Sequence, residues 1–257
     1  MPAASFDGAG ESDGGEMRFA ALTNQGLVRS NNEDSVFAQD TPVGDLKNMF
    51  LVADGMGGYQ GGEYASQFVV RRIHEILRRR IRRGEPRLLM DQTLSVVNKE
   101  LYNISTDTPA LRGMGTTVVM ATFLNGSLYV MNAGDSRLYI YDGVLNQITH
   151  DHSWVEEMVA RGALTRDDPI YEARRNIITR AVGNAPYVEP EFYEVRPQPG
   201  DRMLMCSDGL YTMVDNDTIS RILYREKDVL RAAERLIEAA NAGGGKDNIS
   251  VIVADVE

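Results

Sequence analysis

The sequence predicts an α+β fold built on antiparallel sheets, and three observations carry that prediction. Strand-like runs come in groups separated by Gly or Asn-Gly turns; helical periodicity is confined to a few stretches lying between those groups; and Asn125-Gly126 joins two apolar runs, a strong hairpin signal. A parallel, doubly wound sheet would instead alternate single strands with single helices. In chain order, strands are expected near 18–23, 35–39 and 48–53. A helix follows in which Ala65, Phe68, Val69, Ile73, Ile76 and Leu77 recur at helical spacing while Arg71, Arg72, Arg78, Arg79 and Arg80 take other faces. In a second helix Met90, Leu94, Val97, Leu101 and Ile104 form a similar stripe. Strands near 115–124, 127–133 and 137–142 come next, then a short helix over 152–161. Strands near 192–196 and 202–207 precede a helix over 228–241, with Leu230, Ala233, Ile237 and Ala240 facing inward, and a last strand runs near 249–255.

The 257 residues suffice for one large domain with a substantial core. No internal repeat or linker follows Arg18, so one domain over 17–257 is expected. Residues 1–16 are mostly Gly, Ser, Ala and acidic residues, with too little apolar surface to order themselves, and are read as a disordered tail. A formal net charge of −10 argues against a general nucleic-acid binder. The single cysteine, Cys206, excludes an internal disulfide and fits a reducing compartment. No apolar run is long enough to cross a bilayer, and Met1 to Gly15 lack the pattern of a secretory signal. A cytoplasmic monomer without membrane attachment is expected.

Five short acidic segments carry the chemistry: Asn32-Glu33-Asp34, Asp54-Gly55-Met56-Gly57-Gly58, Gly134-Asp135-Ser136-Arg137, Ser207-Asp208-Gly209 and Lys246-Asp247-Asn248. Asp54, Asp135 and Asp208 each follow an apolar run (Met49 to Ala53, Leu128 to Ala133, Met203 to Cys206), and Asp247 opens the strand Ile249 to Ala254. Carboxylates gathered at strand ends repel one another unless a cation fills the space between them. Oxygen ligands with glycine neighbours, and no His or Cys cluster, point to Mg2+ or Mn2+ rather than zinc.

Taken in order, these segments resemble the metal-dependent Ser/Thr protein phosphatases of the PP2C (PPM) family in its compact bacterial form. The resemblance runs from Val28-Arg29-Ser30-Asn31-Asn32-Glu33-Asp34 through Asp54 to Gly58 and Gly61-Gly62-Glu63. It continues with Gly113-Met114-Gly115-Thr116-Thr117, Asn132 to Arg137 and Thr149-His150-Asp151-His152-Ser153, and closes with Ser207-Asp208-Gly209-Leu210 and Gly245-Lys246-Asp247-Asn248. It implies two packed antiparallel sheets flanked by helix pairs, an α-β-β-α sandwich with metals in a cleft at the sheet ends. It also implies a substrate class, phosphoserine and phosphothreonine proteins, with a Ser/Thr protein kinase and its targets as partners. The alternative is a catalytically silent relative that binds phosphoproteins as a regulatory module; such relatives lose metal ligands, and this chain keeps every position that matches.

Uncatalysed phosphate monoester hydrolysis needs acceleration of up to ~10^21, which a two-metal site addresses by generating a nucleophile and neutralising phosphoryl charge together. Asp54 is the candidate bridging ligand, holding the catalytic water between two ions. The Gly55 carbonyl is a direct ligand, Asp208 and Asp247 complete the first ion's surroundings, and Glu33 and Asp34 hold water around the ions by resemblance. Asp135, with Asp208, matches a third and weaker metal position; Gly-Asp-Ser-Arg also reads as a hairpin turn with a structural Asp135–Arg137 pair. Arg29, five residues before Asp34, stands where the family places its phosphate-binding arginine, whose planar fork holds two phosphoryl oxygens. A plain ion pair with Glu33 or Asp34 is the other reading of Arg29. Met56 stands where animal enzymes have a proton-donating histidine, and a thioether has no proton to give. The polar stretch Ala163 to Arg175, with Arg166, Arg174 and Arg175, falls where the family has a mobile flap.

Other segments read as structural. Arg71 to Arg83 is a solvated helix face and His74 a surface residue; His150 and His152 suit a loop or helix-cap role; Cys206 is a small core residue. Gly55 to Gly62 lacks the Lys-Ser/Thr pair of a phosphate loop.

Overall fold

In the computed structural model, residues 17–58, 60–79 and 84–257 are described; the expected tail, 1–16, lies outside them. The chain forms β1 (Phe19–Asn24), β2 (Asp34–Gln39), β3 (Met49–Met56), α1 (Gly61–Arg79), α2 (Pro86–Asp107), β4 (Gly115–Thr116), β5 (Val118–Leu124), β6 (Ser127–Ala133), β7 (Arg137–Tyr141) and β8 (Leu145–Gln147). It continues with α3 (Trp154–Ala160), α4 (Pro169–Arg174), β9 (Glu191–Val195), β10 (Arg202–Cys206), α5 (Asp208–Tyr211), α6 (Asn216–Arg225), α7 (Val229–Ala242) and β11 (Ile249–Asp255). One sheet has the order β1-β11-β10-β7-β8 and the other β2-β3-β5-β6-β9, with β4 attached to β3, and every strand pair is antiparallel.

Period-two alternation sorts the strand side chains into three apolar layers. On β3, Met49, Leu51 and Ala53 face α1 and α2, where they meet Val69, Ile73, Leu94 and Leu101. Phe50 and Val52 face the other way, into the space between the sheets, with Val119, Val130, Met203, Met205 and Ile252. On β10 and β11, Leu204, Cys206, Val251 and Val253 pack outward against Ala233, Leu236 and Ala240 of α7 and Ile219 and Leu223 of α6. Strands buried on both faces explain the near-continuous apolar runs. The result is the α-β-β-α sandwich that the family resemblance implies. Among the described residues no helix is long and apolar enough to cross a membrane.

Several details differ from the sequence-based expectation, each for a local reason. The strand expected over 115–124 divides, because Thr116 pairs with Val182 and the Thr117 N–H turns to the Asp54 carbonyl at 2.8 Å. α4 lies within the polar stretch expected as a flap, opened by the Asp168 side chain accepting from the Ile170 N–H and by Pro169 at its first position. α6 is capped by Asp215, whose carboxylate accepts from the Thr218 N–H at 2.8 Å. Arg72 is not merely solvated: it forms a two-pronged pair with Glu100 at 2.7 and 2.8 Å that ties α1 to α2. His74 is half-buried against Phe37, ring centroids 4.8 Å apart, and that burial lowers its pKa.

Candidate active site

Antiparallel pairing gives each strand one end at either edge of its sheet, and registry decides which ends share an edge. Asn24 of β1 and Cys206 of β10 lie against Ile249 and Val251 at the start of β11, and Cys206 also lies against Arg137 at the start of β7. In the other sheet Asp34 is directly opposite Asp54, and Val118 is opposite Ala133. The segments leading into or out of these positions therefore open at one end of the sandwich. They are the loop 25–33, Asp54-Gly55, the turn at Gly134-Asp135, Ser207-Asp208 and Asp247. Like charges directly opposite across an antiparallel pair are destabilising, so the Asp34–Asp54 pairing carries a cost that a bound cation would offset.

Hydrogen bonds immobilise the backbone that carries these carboxylates. The Asp54 N–H donates to Thr117 Oγ1 at 2.9 Å, and its carbonyl accepts from Thr116 Oγ1 at 2.9 Å and from the Thr117 N–H. The Gly55 N–H donates to the Glu33 carbonyl at 3.1 Å. A Cβ on Gly55 would stand 2.1 Å from the Gly62 carbonyl oxygen, so the approach of α1 to this strand end admits only glycine. Ser207 Oγ donates to Asp34 Oδ2 at 2.7 Å and accepts the Ser250 N–H at 3.0 Å. Asn248 is a three-way clasp: Oδ1 accepts the Glu33 N–H at 2.8 Å, and Nδ2 donates to the carbonyls of Gln25 and Asn31, both at 2.9 Å.

The carboxylates are held at the expense of their charge. Burial pushes Asp34 up to about 7, opposed by hydrogen bonds from Ser207 and Ser250 and reinforced by Asp208 and Asp247. Burial raises Asp135 to about 8, with Asp208 and Asp151 adding repulsion. Asp208 rises to about 6 through burial and Asp247, offset by the cations Arg29, Arg175 and Arg137. Asp54 lies well above the carboxylate range, first from loss of water and then from Asp34, Asp208, Asp135 and Asp247 together. Four of the five aspartates are thus raised, by burial first and by neighbouring carboxylates second, a state that a bound cation would relieve.

Several expected pairings resolve differently. Arg29 neither pairs with Glu33 nor with Asp34; its Nη2 lies 2.7 Å from Asp247 Oδ2, with half of its side chain in water. Arg137 does not pair with Asp135. It makes a two-pronged pair with Asp151, Nε to Oδ1 at 2.9 Å and Nη2 to Oδ2 at 2.6 Å, donates to Tyr139 and lies 3.5 Å over the Tyr211 ring. Tyr211 in turn donates its hydroxyl to the Asp135 carbonyl at 3.0 Å. His150 is exposed, whereas His152 is buried and accepts the Gly134 N–H on Nδ1 at 3.1 Å; the cap of α3 is Ser153. Cys206 is fully buried, its thiol pushed up to about 12 by burial, which rules it out as a nucleophile. Ser207, Thr117 and Asn248 lay inside the sequence motifs without an assigned role; Tyr211 carried no signal at all.

The acidic end fits a hard divalent ion. The side-chain donors are all oxygen, and Asp34 Oδ1 and Asp135 Oδ1 are buried atoms without a hydrogen-bond partner. Among the described residues no three Asp, Glu, His or Cys side chains converge on one point to enclose an ion unaided. Mg2+-like ions do not require such a cage, since they keep several waters and take one or two carboxylates each. Two of the carboxylates are turned to other partners, Asp247 to Arg29 and Asp34 to Ser207.

Known proteins share this arrangement of chain. The family model described as Protein phosphatase 2C matches residues 28–248. Serine/threonine phosphatase stp of Listeria monocytogenes is 35% identical over 239 residues, covering 91% of this chain and 93% of that protein. Serine/threonine protein phosphatase PstP of Mycobacterium tuberculosis is 38% identical over 241 residues, covering 93% of this chain but 45% of that longer protein. The crystal structure of the M. tuberculosis phosphatase PstP/Ppp aligns with a TM-score of 0.83 at 38% identity, covering 94% of this chain and 99% of the other. The catalytic domain of PstP in complex with 2 manganese ions aligns with a TM-score of 0.80 at 37% identity, over 93% of this chain and 98% of the other.

Proposed function

The chain belongs to the protein phosphatase 2C family and is a metal-dependent protein serine/threonine phosphatase; we propose that its acidic strand ends hold two Mn2+ or Mg2+ ions around the reacting phosphate. The observation that supports this reading is the burial of Asp34, Asp54, Asp135 and Asp208 at one end of the sandwich, where loss of water and neighbouring carboxylates raise all four pKa values. Asp54 would bridge the pair, the Gly55 carbonyl, Asp208 and Asp247 would complete their surroundings, and Asp135 with Asp208 would hold a third ion. When bound, the ions supply an activated water and neutralise phosphoryl charge. Glu33 and Asp34 would orient water near the ions, Asp34 through Oδ1, the oxygen left unpartnered while Ser207 holds Oδ2. Arg29, already aimed at this end through Asp247, takes two phosphoryl oxygens with its guanidinium. Attack falls directly on phosphorus with no covalent enzyme intermediate, consistent with the inert Cys206. Met56, half-buried at the end of β3, contributes no proton.

The domain unit is 17–257, acting as a cytoplasmic monomer on the targets of a Ser/Thr kinase. The purified protein supplied with Mn2+ is expected to release phosphate from phosphoserine and phosphothreonine peptides and from an aryl phosphate, and to stop when a chelator is added. A folded, manganese-supplied sample that never releases phosphate overturns the reading.

The segment 163–175 has one arginine whose charge is felt at the acidic end. Arg166 pairs with Glu156, and Arg174 lies over the Trp154 ring at 5.2 Å, so both are used in packing. Arg175, although paired with Glu172 at 3.1 Å, has a charge that reaches Asp208 and lowers its pKa. Arg175→Gln is expected to raise KM for a phosphoprotein about fivefold, the order of one surface charge interaction, with little change for aryl phosphate. Equal effects on the two substrates would remove any role in protein selection.

A further inference from the structure

The loop between β1 and β2 presents two aliphatic side chains to water on a backbone that has no freedom to hide them. Leu27 is 68% exposed and Val28 is 67% exposed, immediately before Arg29. Both N–H groups donate to the Gly245 carbonyl, at 2.7 and 3.2 Å, and the Gln25 side chain donates to the Arg29 carbonyl at 2.7 Å. Asn248 clasps the loop at Gln25 and Asn31. Gly26, at φ +77°, sits so close to the Asp247 carbonyl that a Cβ would stand 2.2 Å away. The loop is thus bolted to the segment that carries Asp247, and Arg29 reaches back to the Asp247 carboxylate.

Single exposed aliphatic residues are ordinary on protein surfaces. A consecutive pair, its backbone fixed immediately before the residue whose guanidinium is assigned to phosphate, is held close to any phosphorylated segment bound there. Consecutive Cα atoms are about 3.8 Å apart, so Val28 and Leu27 lie one and two residue steps from Arg29. An extended substrate chain advances by about 3.3 Å per residue, so a side chain one or two positions from the phosphoresidue is within reach of this pair.

We propose that Leu27 and Val28 form an apolar shelf selecting phosphoprotein segments with an apolar side chain within two residues of the phosphorylated serine or threonine. The proposal deepens the phosphatase reading and rests on Arg29 holding the phosphate. The shelf acts on association of the peptide and leaves the reacting atoms alone, so it moves KM for peptides and spares small substrates.

The test compares phosphoserine peptides that differ only in Leu or Ser at each position within two residues of the phosphoserine, with wild-type protein and the double variant Leu27→Ser, Val28→Ser. The wild type is expected to favour at least one Leu-containing peptide about tenfold in kcat/KM, the effect of burying one aliphatic side chain. In the variant the preference falls to about twofold or less through KM, while aryl-phosphate turnover and the unfolding temperature hold, as suits exposed positions. Wild-type protein that turns over aryl phosphate and treats all the peptides alike overturns the shelf alone. A variant that keeps the full preference does the same. Wild-type protein that hydrolyses nothing sinks the phosphatase reading and the shelf together.

Discussion

Replacing Asp54 with asparagine is expected to lower kcat/KM for phosphopeptide and aryl phosphate alike by about 10^3-fold or more, and Asp208→Asn is expected to do the same. Loss of a single electrostatic donor to a transition state costs about 10^2–10^3 in rate, and loss of a residue merely supporting a ligand costs about 10–100-fold in metal affinity or activity. A ligand shared by two ions should exceed both. The ion-free protein is expected to respond in the opposite direction. Burial first, and then Asp34, Asp208, Asp135 and Asp247, raise the pKa of Asp54, so without ions its carboxyl carries a cost of burial and repulsion that a neutral amide does not. The unfolding temperature of chelated Asp54→Asn should rise by about 2–4 °C for each kcal/mol of repulsion removed. Lower activity together with higher ion-free stability is the signature of a functional carboxylate; a structural one would lose both.

The same repulsion fixes a pH dependence. Burial, with neighbouring carboxylates, pushes Asp208 up to about 6, Asp34 to about 7 and Asp135 to about 8, all above the ordinary carboxylate value. Between about pH 4 and pH 8 the folded form retains protons that the unfolded form has released, so stability falls as pH rises through that window. Chelated protein is therefore expected to melt at a lower temperature at pH 8 than at pH 5, with added Mn2+ restoring more stability at pH 8. Thermal unfolding at the two pH values with and without chelator measures this, and a rise in melting temperature from pH 5 to pH 8 without ions contradicts it.

What the sequence made legible follows from how local each signal is. Every acidic motif sits where an apolar run stops or starts, so both the strand and its functional end could be read from neighbouring residues. The helices α1, α2 and α7 were visible because their buried positions recur over several turns. Shorter elements had no such averaging. α5 is a single turn, β8 is three edge residues, and α6 fully buries only Ile219 and Leu223. The hydrogen-bond partners were least legible, since they depend on registry between distant strands. Ser207 reaches Asp34 across 173 positions, and Asn248 reaches Glu33 across 215. Arg137 shows how a motif can mislead: Asp135 stands two residues away, yet β7 and its neighbouring strands carry the guanidinium to Asp151.

That relocated pair predicts a large loss of stability. Arg137 is mostly buried, with its side chain 17% exposed and that of Asp151 at 8%. Its guanidinium satisfies both Asp151 oxygens, accepts the face of Tyr211 and donates to Tyr139 Oη. Among the described residues Arg137 is the one cation bonded to Asp151, so Arg137→Ala leaves a nearly buried carboxylate that already repels Asp135 and keeps only the neutral Gln147 Nε2 donor at 2.9 Å. Breaking such a pair from one side costs about 3–5 kcal/mol, because the remaining charge has lost its partner and cannot regain water. Asp151→Asn in the same chain should recover a substantial part of that loss, since the amide carries no charge to strand. Urea unfolding of the wild type, both single variants and the double variant gives the coupling directly. Tyr211, which stacks on Arg137 and holds the Asp135 carbonyl, transmits the damage to the acidic end, so Arg137→Ala should also weaken Mn2+ binding measured by calorimetry. Additive single effects, with no recovery in the double variant, would mean that the pair is not the unit that secures this end of the fold.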